Sequence, residues 1–485
     1  MIRLYFDWNV LVQLKGGLLP ELEAILSNNR HRFNIFYSTA HIGDIYKGYD
    51  PAKGITDEIR SDLDFIKQIT GNLCFTPSPT GVISDEWEPL ELFEDRIDSE
   101  NLASGLFGAF NNSADENNFP VSSLLSVFSQ MPLNILDNID ASGKEQFNTY
   151  FPDFESNQTF GGLISSTSSL FKNLYNTEKY KELRITFQKG MCINRDKMYN
   201  NPSPFHALDK HIANSALEEN TFEEFHTKVT EAIKQSPKDW FDEIYNKYVT
   251  IDMAGYKEDK IKVDDRQKDT FKNTIEDSFH AAFASQCDIY VTNDNRNNAK
   301  TKAVYSELNI NTKVFTSSEV VNFLTEYIHQ DESGNLIENV FSKLKATDGY
   351  GSEERPGYIT YFLKDFILDY FNKAFWVIET EKSEQDDNWM LILTKEKPTN
   401  GRFTFLKDID LLIAKLIHRF GIPHENKLML SKAEVSNIQE GVDWDGRRWY
   451  IGQLLIKFIS LNGYFQLYIY PASREPQASN NSQSE

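Results

Sequence analysis

Cysteine is scarce: Cys74, Cys192 and Cys287 are the only three in 485 residues, far apart and without CxxC spacing. That argues against a disulfide framework or a structural zinc knot and points to a reducing, cytoplasmic setting. Long apolar runs are missing too. No stretch approaches the roughly 18–20 apolar residues of a membrane span, so no membrane partner is expected. The N-terminal segment has no signal-peptide h-region, because Asp7 interrupts its apolar run. Positive charge is the third shortage: 50 Lys and Arg against 72 Asp and Glu leave a net charge of −22. A protein that coats nucleic acid over its whole surface needs clustered cations, so that class is excluded. A local basic track leading to an acidic site is not. The familiar short motifs are absent as well. His206 and His211 in FHALDKH have the wrong spacing for an HExxH zinc helix. Gly349-Tyr350-Gly351 has no strand before it and no GK after it, which removes a phosphate-cradling role.

What is present is an α/β rhythm in two pieces. IRLYFD (Ile2 to Asp7) is a β-prone run ending in an acid, and Asn9 stands where a helix begins. RFNIFYS leads through Ser38 and Thr39 into AHIGDIYKGY, a strand followed by a capped helix. Ile55, Ile59, Leu63, Ile66 and Ile69 keep the 3.6 period of an amphipathic helix, and LCFTP follows as a third strand. The order β-α-β-α-α-β argues for a parallel sheet. The rhythm is lost over 78–264, an acidic segment, a Gly/Asn/Ser-rich region and several helical stretches, including TFEEFHTKVTEAIKQ with a capping box at Thr221 and Glu224. It returns as a helix ending near Gln286, the strand CDIYVTN, a helix through 295–308, the strand NTKVFT and a closing helix. Residues 1–77 and 265–330 are therefore expected to form one three-layer α/β/α domain with five parallel strands, split by a large, mostly helical insertion. A linker at 331–356 and a C-terminal α+β domain at 357–471 follow, with Asn462-Gly463 marking a type I′ hairpin, then a disordered polar tail at 472–485. The C-terminal domain carries no catalytic constellation and reads as a module for a protein partner or self-association.

Four acids fall at equivalent places in the split sheet. Asp7 and Asp294 end the first and fourth strands, Asp44 lies one turn into the helix after the second, and Asp277 lies on the helix feeding the fourth. Each alone has a plain reading: Asp7 and Asp294 as helix caps, Asp44 as a solvated helix residue, Asp277 as a surface charge. Together they converge on one sheet edge if strands one and four are neighbours, and like charges held that close need compensation. An oxygen-only set favours Mg²⁺ or Mn²⁺. Such an ion activates water and neutralises charge on a phosphate, the chemistry of phosphodiester hydrolysis.

The stretches LYFDWN, YSTAHIGDI and DSFHAAFASQCDIYVTND resemble the PIN-domain nucleases over residues 1–77 and 265–330. The resemblance implies a PIN-like fold and a metal-dependent endoribonuclease, with single-stranded RNA ahead of DNA as substrate. It implies Asp7, Asp44, Asp277 and Asp294 as catalytic metal ligands for one or two ions, and Asn9 and Thr292 as residues that orient them. His41 and His280 read as structural histidines with a supporting role as the alternative. Arg296, Lys300 and Lys302 are candidates to track a phosphate backbone. The family usually has Glu where Asp44 stands, and the insertion is atypical of it. The size of the accessory regions suggests, by analogy alone, a regulated effector of a bacterial defence or stress system. A PIN-like fold kept as a non-catalytic interaction scaffold, and a DNA nuclease of related fold, are the competing expectations.

Overall fold

Alternating β-branched and aromatic residues put five strands where the apolar runs stand, and a sixth where the sequence reads as acidic loop. The computed structural model describes residues 1–78, 81–97, 177–213, 221, 223–224, 240–258, 270–334, 336–351, 356–380, 388–395, 402–461 and 464–474. The Gly/Asn/Ser-rich region, most of TFEEFHTKVTEAIKQ, the Asn462-Gly463 turn and nearly all of the tail lie outside them. The chain divides into two compact units, one of residues 3–20 and 35–319, the other of 1–2, 21–34 and 320–485.

The first sheet comprises β1 (Ile2–Phe6), β2 (Phe33–Ser38), β3 (Leu73–Ser78), β4 (Gly81–Glu86), β5 (Ile289–Val291) and β6 (Lys313–Phe315), in the order β4-β3-β2-β1-β5-β6. Leu4 pairs with Ile289 and Phe6 with Val291 in parallel, so the first strand and the strand of CDIYVTN are neighbours. The pairs β2–β3 and β5–β6 are also parallel, whereas β4 runs antiparallel to β3 at the edge. The sheet is thus mixed rather than wholly parallel. GVISDE is a hairpin strand whose Ser-Asp-Glu end disguises it: Val82 and Ser84, two residues apart, are buried on one face, and the strand emerges into solvent at Asp85 and Glu86.

Helices α1 (Trp8–Lys15), α2 (Pro20–Asn28), α3 (Thr39–Tyr46) and α4 (Asp57–Thr70) connect the first strands. Local chemistry fixes α4 at both ends. The Thr56 hydroxyl accepts from the Ile59 amide, and Gly71 closes the helix at φ 63, a left-handed conformation that suits glycine. Ile59, Leu63, Ile66 and Thr70 form its buried stripe.

In the stretch read as an insertion, the described helices are α5 (Thr177–Gly190), α6 (Arg195–Tyr199), α7 (Pro204–Ala213) and α8 (Trp240–Met253). Their Tyr180, Phe187, Leu208, Tyr245 and Tyr248 join one continuous core with Tyr5, Phe36, Phe75 and Tyr290 of the strands. A buried ion network accompanies this packing. Asp252 on α8 is fully buried and pairs with Arg184 on α5 at 2.6 Å and with Lys300 at 2.9 Å. Lys300 lies on α10 (Asn295–Glu307), which follows α9 (Thr270–Ala284) and β5.

In the second unit α11 (Ser317–Glu332) is followed by α12 (Leu336–Lys345), a helix inside the stretch read as linker, with Val340 and Leu344 buried. Beyond it a seven-stranded sheet has the order β11-β12-β13-β10-β9-β8-β7. Its strands are β7 (Tyr350–Gly351), β8 (Tyr358–Leu363), β9 (Lys373–Glu379), β10 (Trp389–Thr394), β11 (Trp444–Ile451), β12 (Leu454–Leu461) and β13 (Tyr464–Pro471), with α13 (Arg402–Phe420) and α14 (Lys432–Gln439) both between β10 and β11. Every pairing in it is antiparallel, and Leu461 pairs with Tyr464 across the hairpin. Arg32, Lys415 and Arg419 converge on the buried Asp331 and Asp369 within this unit. Among the described residues no helix is long and apolar enough to cross a membrane.

The Asp252 network gives a stability test. Asp252→Ala leaves Arg184 and Lys300 buried without their carboxylate, which costs about 3–5 kcal/mol. Urea unfolding followed by tryptophan fluorescence should show a correspondingly early transition; a loss below about 1 kcal/mol would contradict the network's role.

Candidate functional site

The strand order reverses at β1. From there the chain builds β2, β3 and β4 on one side and β5 and β6 on the other, which makes the ends of β1 and β5 a topological switch point. Asp7 leaves β1 at that point, and Thr292, Asn293 and Asp294 leave β5 beside it.

Asp7 occupies the N-cap position of α1, but its side chain makes no cap bond. Its Oδ2 accepts instead from Thr292 Oγ1 at 2.6 Å, Asn9 Nδ2 at 2.8 Å, Asn297 Nδ2 at 3.2 Å and Tyr290 OH at 3.4 Å. Asn9 and Thr292 therefore orient the Asp7 carboxylate, joined by Asn297 and Tyr290. Burial lifts the Asp7 pKa above its ordinary value; His280 and the Thr292 hydroxyl pull it down, and the charges of Asp44 and Asp294 push it up again. The carboxylates of Asp44 and Asp294 thus stand near enough to burden Asp7 electrostatically.

Asp294 is exposed and caps α10, its Oδ1 accepting from the Arg296 amide at 2.7 Å and the Asn297 amide at 2.9 Å. Asp277 is half-buried on α9, and its charge, after burial and Asp7, helps raise the pKa of the Tyr290 phenol. Asp44 is engaged differently. Its Oδ2 meets His280 Nε2 at 2.8 Å and its Oδ1 meets Lys47 Nζ at 2.8 Å. Burial alone would raise its pKa, but His280 and Lys47 outweigh it and hold the carboxyl well below its usual range. The same contact works on His280: burial disfavours its charge, yet Asp44 and then Asp7 raise its pKa.

Behind these acids lies a closed polar chain that periodicity gives no hint of. His280 Nδ1 meets Tyr5 OH at 2.9 Å, and Tyr5 OH meets Ser38 Oγ at 2.6 Å. His41 Nε2 donates to the Phe6 carbonyl at 2.7 Å, which leaves Nδ1 to accept from the Ser38 amide at 3.0 Å. His41 thereby completes a capping box with Ser38 at the start of α3, where Glu or Gln is usual. Tyr5, Ser38, Tyr290 and Asn297 are residues the sequence reading did not single out for the site. Asn297 alone left a signal, standing three residues after the capping Asp294 on a helix rich in Asn.

The candidate phosphate-tracking residues divide. Lys302 is exposed and Arg296 half-buried, but Lys300 is fully buried, its ammonium spent on Asp252 and packed over the Tyr248 ring. Lys300 is therefore a strut of the core and not a contact for nucleic acid.

The chain matches no protein-family model, no curated protein and no solved structure.

Among the described residues no group of three or more His, Cys, Asp or Glu side chains is arranged to hold a metal ion. The donor chemistry explains where the fit fails. Asp44 has spent both oxygens on His280 and Lys47, so it does not fit as a ligand in this arrangement. Asp7 fits better: its four bonds all fall on Oδ2, and among the described residues none reaches Oδ1.

His41 supplies a pH test. Burial first, then the His280 charge, lower its pKa from 6.5 to about 3. The unfolded chain therefore takes the proton first as pH falls, and stability is lost from about pH 6.5 downward, by up to ~1.4 kcal/mol per unit. His41→Gln, which keeps a capping-box side chain, should flatten that slope between pH 6.5 and 5 in urea titrations. Equal slopes in the two proteins would contradict a buried neutral His41.

Proposed function

We propose that the unit of residues 3–20 and 35–319 is a three-layer, PIN-like nuclease domain that hydrolyses phosphodiester bonds, with Mg²⁺ or Mn²⁺ as cofactor and single-stranded RNA as the first substrate to test. The observation that carries this reading is the meeting of acids at the switch point. Asp7 and Asp294 follow neighbouring parallel strands, and Asp44 and Asp294 both act on the charge of Asp7. That edge is where open α/β sheets bind ligands. A divalent cation there would supply an activated water and neutralise charge developing on a phosphate.

The chain's own residues do the rest. Asn9, Thr292, Asn297 and Tyr290 fix one oxygen of Asp7 and so aim the other. Asp7, Asp277 and Asp294 are the acids that would hold the cation, and Lys302 beyond them is exposed to meet a phosphate backbone. Asp44, tied to His280, sets the charge next to Asp7 instead of facing solvent. A second reading, a PIN-like scaffold without catalysis, is favoured by one observation: Asp44 is already neutralised by protein groups.

Cleavage assays separate the two. Labelled single-stranded RNA and DNA are incubated with the full chain and Mn²⁺, beside Asp7→Asn, Asp294→Asn and an EDTA control. The nuclease reading requires metal-dependent cleavage reduced about 100-fold or more in Asp7→Asn, the scale of a lost charge-stabilising group. Cleavage of DNA but not RNA would move the substrate and keep the site. Full activity in both variants would sink it, and no cleavage of either substrate would favour the scaffold.

A further inference from the structure

The Lys47 ammonium sits where a hard cation would sit. Three oxygen-bearing side chains meet it: Asp44 through Oδ1 at 2.8 Å, Asn273 through Oδ1 at 3.5 Å, and Glu276 in a close ion pair. Asp44 comes from α3 and the other two from α9, so the ammonium joins two helices that otherwise present carboxylates to each other. Asp44 and Glu276 are both largely shielded from water, with side-chain exposures of 12%, which makes the pairing of their charges obligatory rather than incidental. A set of oxygens from two carboxylates and an amide is also what Mg²⁺ or Mn²⁺ takes from proteins.

We infer that Lys47 is a built-in replacement for a second divalent ion, so that the domain binds one ion beside Asp7 and keeps the Asp44–Glu276 position filled by its own ammonium. The inference rests on the cation reading of the previous section and deepens it by fixing the number of ions. His280 completes the arrangement by holding Asp44 Oδ2. Asp44 then acts on the site through charge and position, and the shorter Asp arm matters little because it need not reach an ion. The consequence is specific: removing the ammonium should uncover a second cation site made of Asp44, Asn273 and Glu276.

Mn²⁺ titration of the full chain, followed by the electron paramagnetic resonance signal of free Mn²⁺, counts the ions directly. The wild-type protein should bind one. Lys47→Met should bind two, Lys47→Arg one, and Asp44→Asn/Lys47→Met one, because the double variant loses a carboxylate of the new site. Lys47→Met leaves the shielded Asp44 and Glu276 without their cation until an ion binds, so near-ultraviolet circular dichroism with and without Mn²⁺ checks that it folds, and the wild-type count of one ion stands as the test where it does not. Two ions in the wild-type protein, or an unchanged count in Lys47→Met, would overturn the inference. No ion in the wild-type protein but one in Lys47→Met would remove the Asp7 site and keep the role of Lys47. No ion in either would overturn both.

Discussion

Asp7 must keep a carboxylate at the end of a core strand, where water is nearly excluded and other acids stand close. Without compensation, burying an ionised carboxylate costs several kcal/mol. The protein meets this with directed dipoles on one oxygen and with the electrostatic effect of His280. Thr292, Asn9, Asn297 and Tyr290 supply the dipoles, and His280 is itself bonded to Asp44. The rest of the edge depends on this arrangement. Asp44 can sit beside Asp7 because His280 and Lys47 offset its charge, and the two acids facing His280 raise its pKa against the opposing effect of burial.

The same logic explains the core behind the edge. Tyr5, Ser38 and His41 close the polar chain that starts at Asp44, and each polar atom named in it has a partner. A buried network that is satisfied throughout rigidifies its surroundings, whereas a half-satisfied one is costly. Asp252, Arg184 and Lys300 form a second buried network in the unit, tying α5, α8 and α10 into the core that the strands begin. These helices are thus part of the domain's interior, and the acids at the switch point rest on them indirectly.

The parts of this fold legible in the sequence are those set by local chemistry. Apolar runs and their periodicity placed β1, β2, β3, β5 and β6 and the buried stripe of α4, and the resemblance pointed to Asn9 and Thr292, whose side chains do meet the Asp7 carboxylate. What escaped was set by distant partners. Helix α8 buries Asn246, Lys247, Thr250 and Asp252 together with its aromatics, so it shows no clean apolar stripe. Lys300 looks like a solvated lysine until Asp252 is known to face it. In the same way, Lys47 is three residues from Asp44, yet its meaning comes from Glu276 on a helix far away in the sequence.

The proposed divalent ion would be held by Asp7 and Asp294 with Asp277 beside them, while Asp44 is left to Lys47 and His280. Crystals soaked in Mn²⁺ and measured at a wavelength with strong manganese anomalous scattering test it most directly. The account requires a single anomalous peak with carboxylate oxygens of Asp7 and Asp294 at about 2.1 Å, and none at the Lys47 ammonium. A peak coordinated by Asp44, or no peak at the strand ends at saturating Mn²⁺, would contradict it.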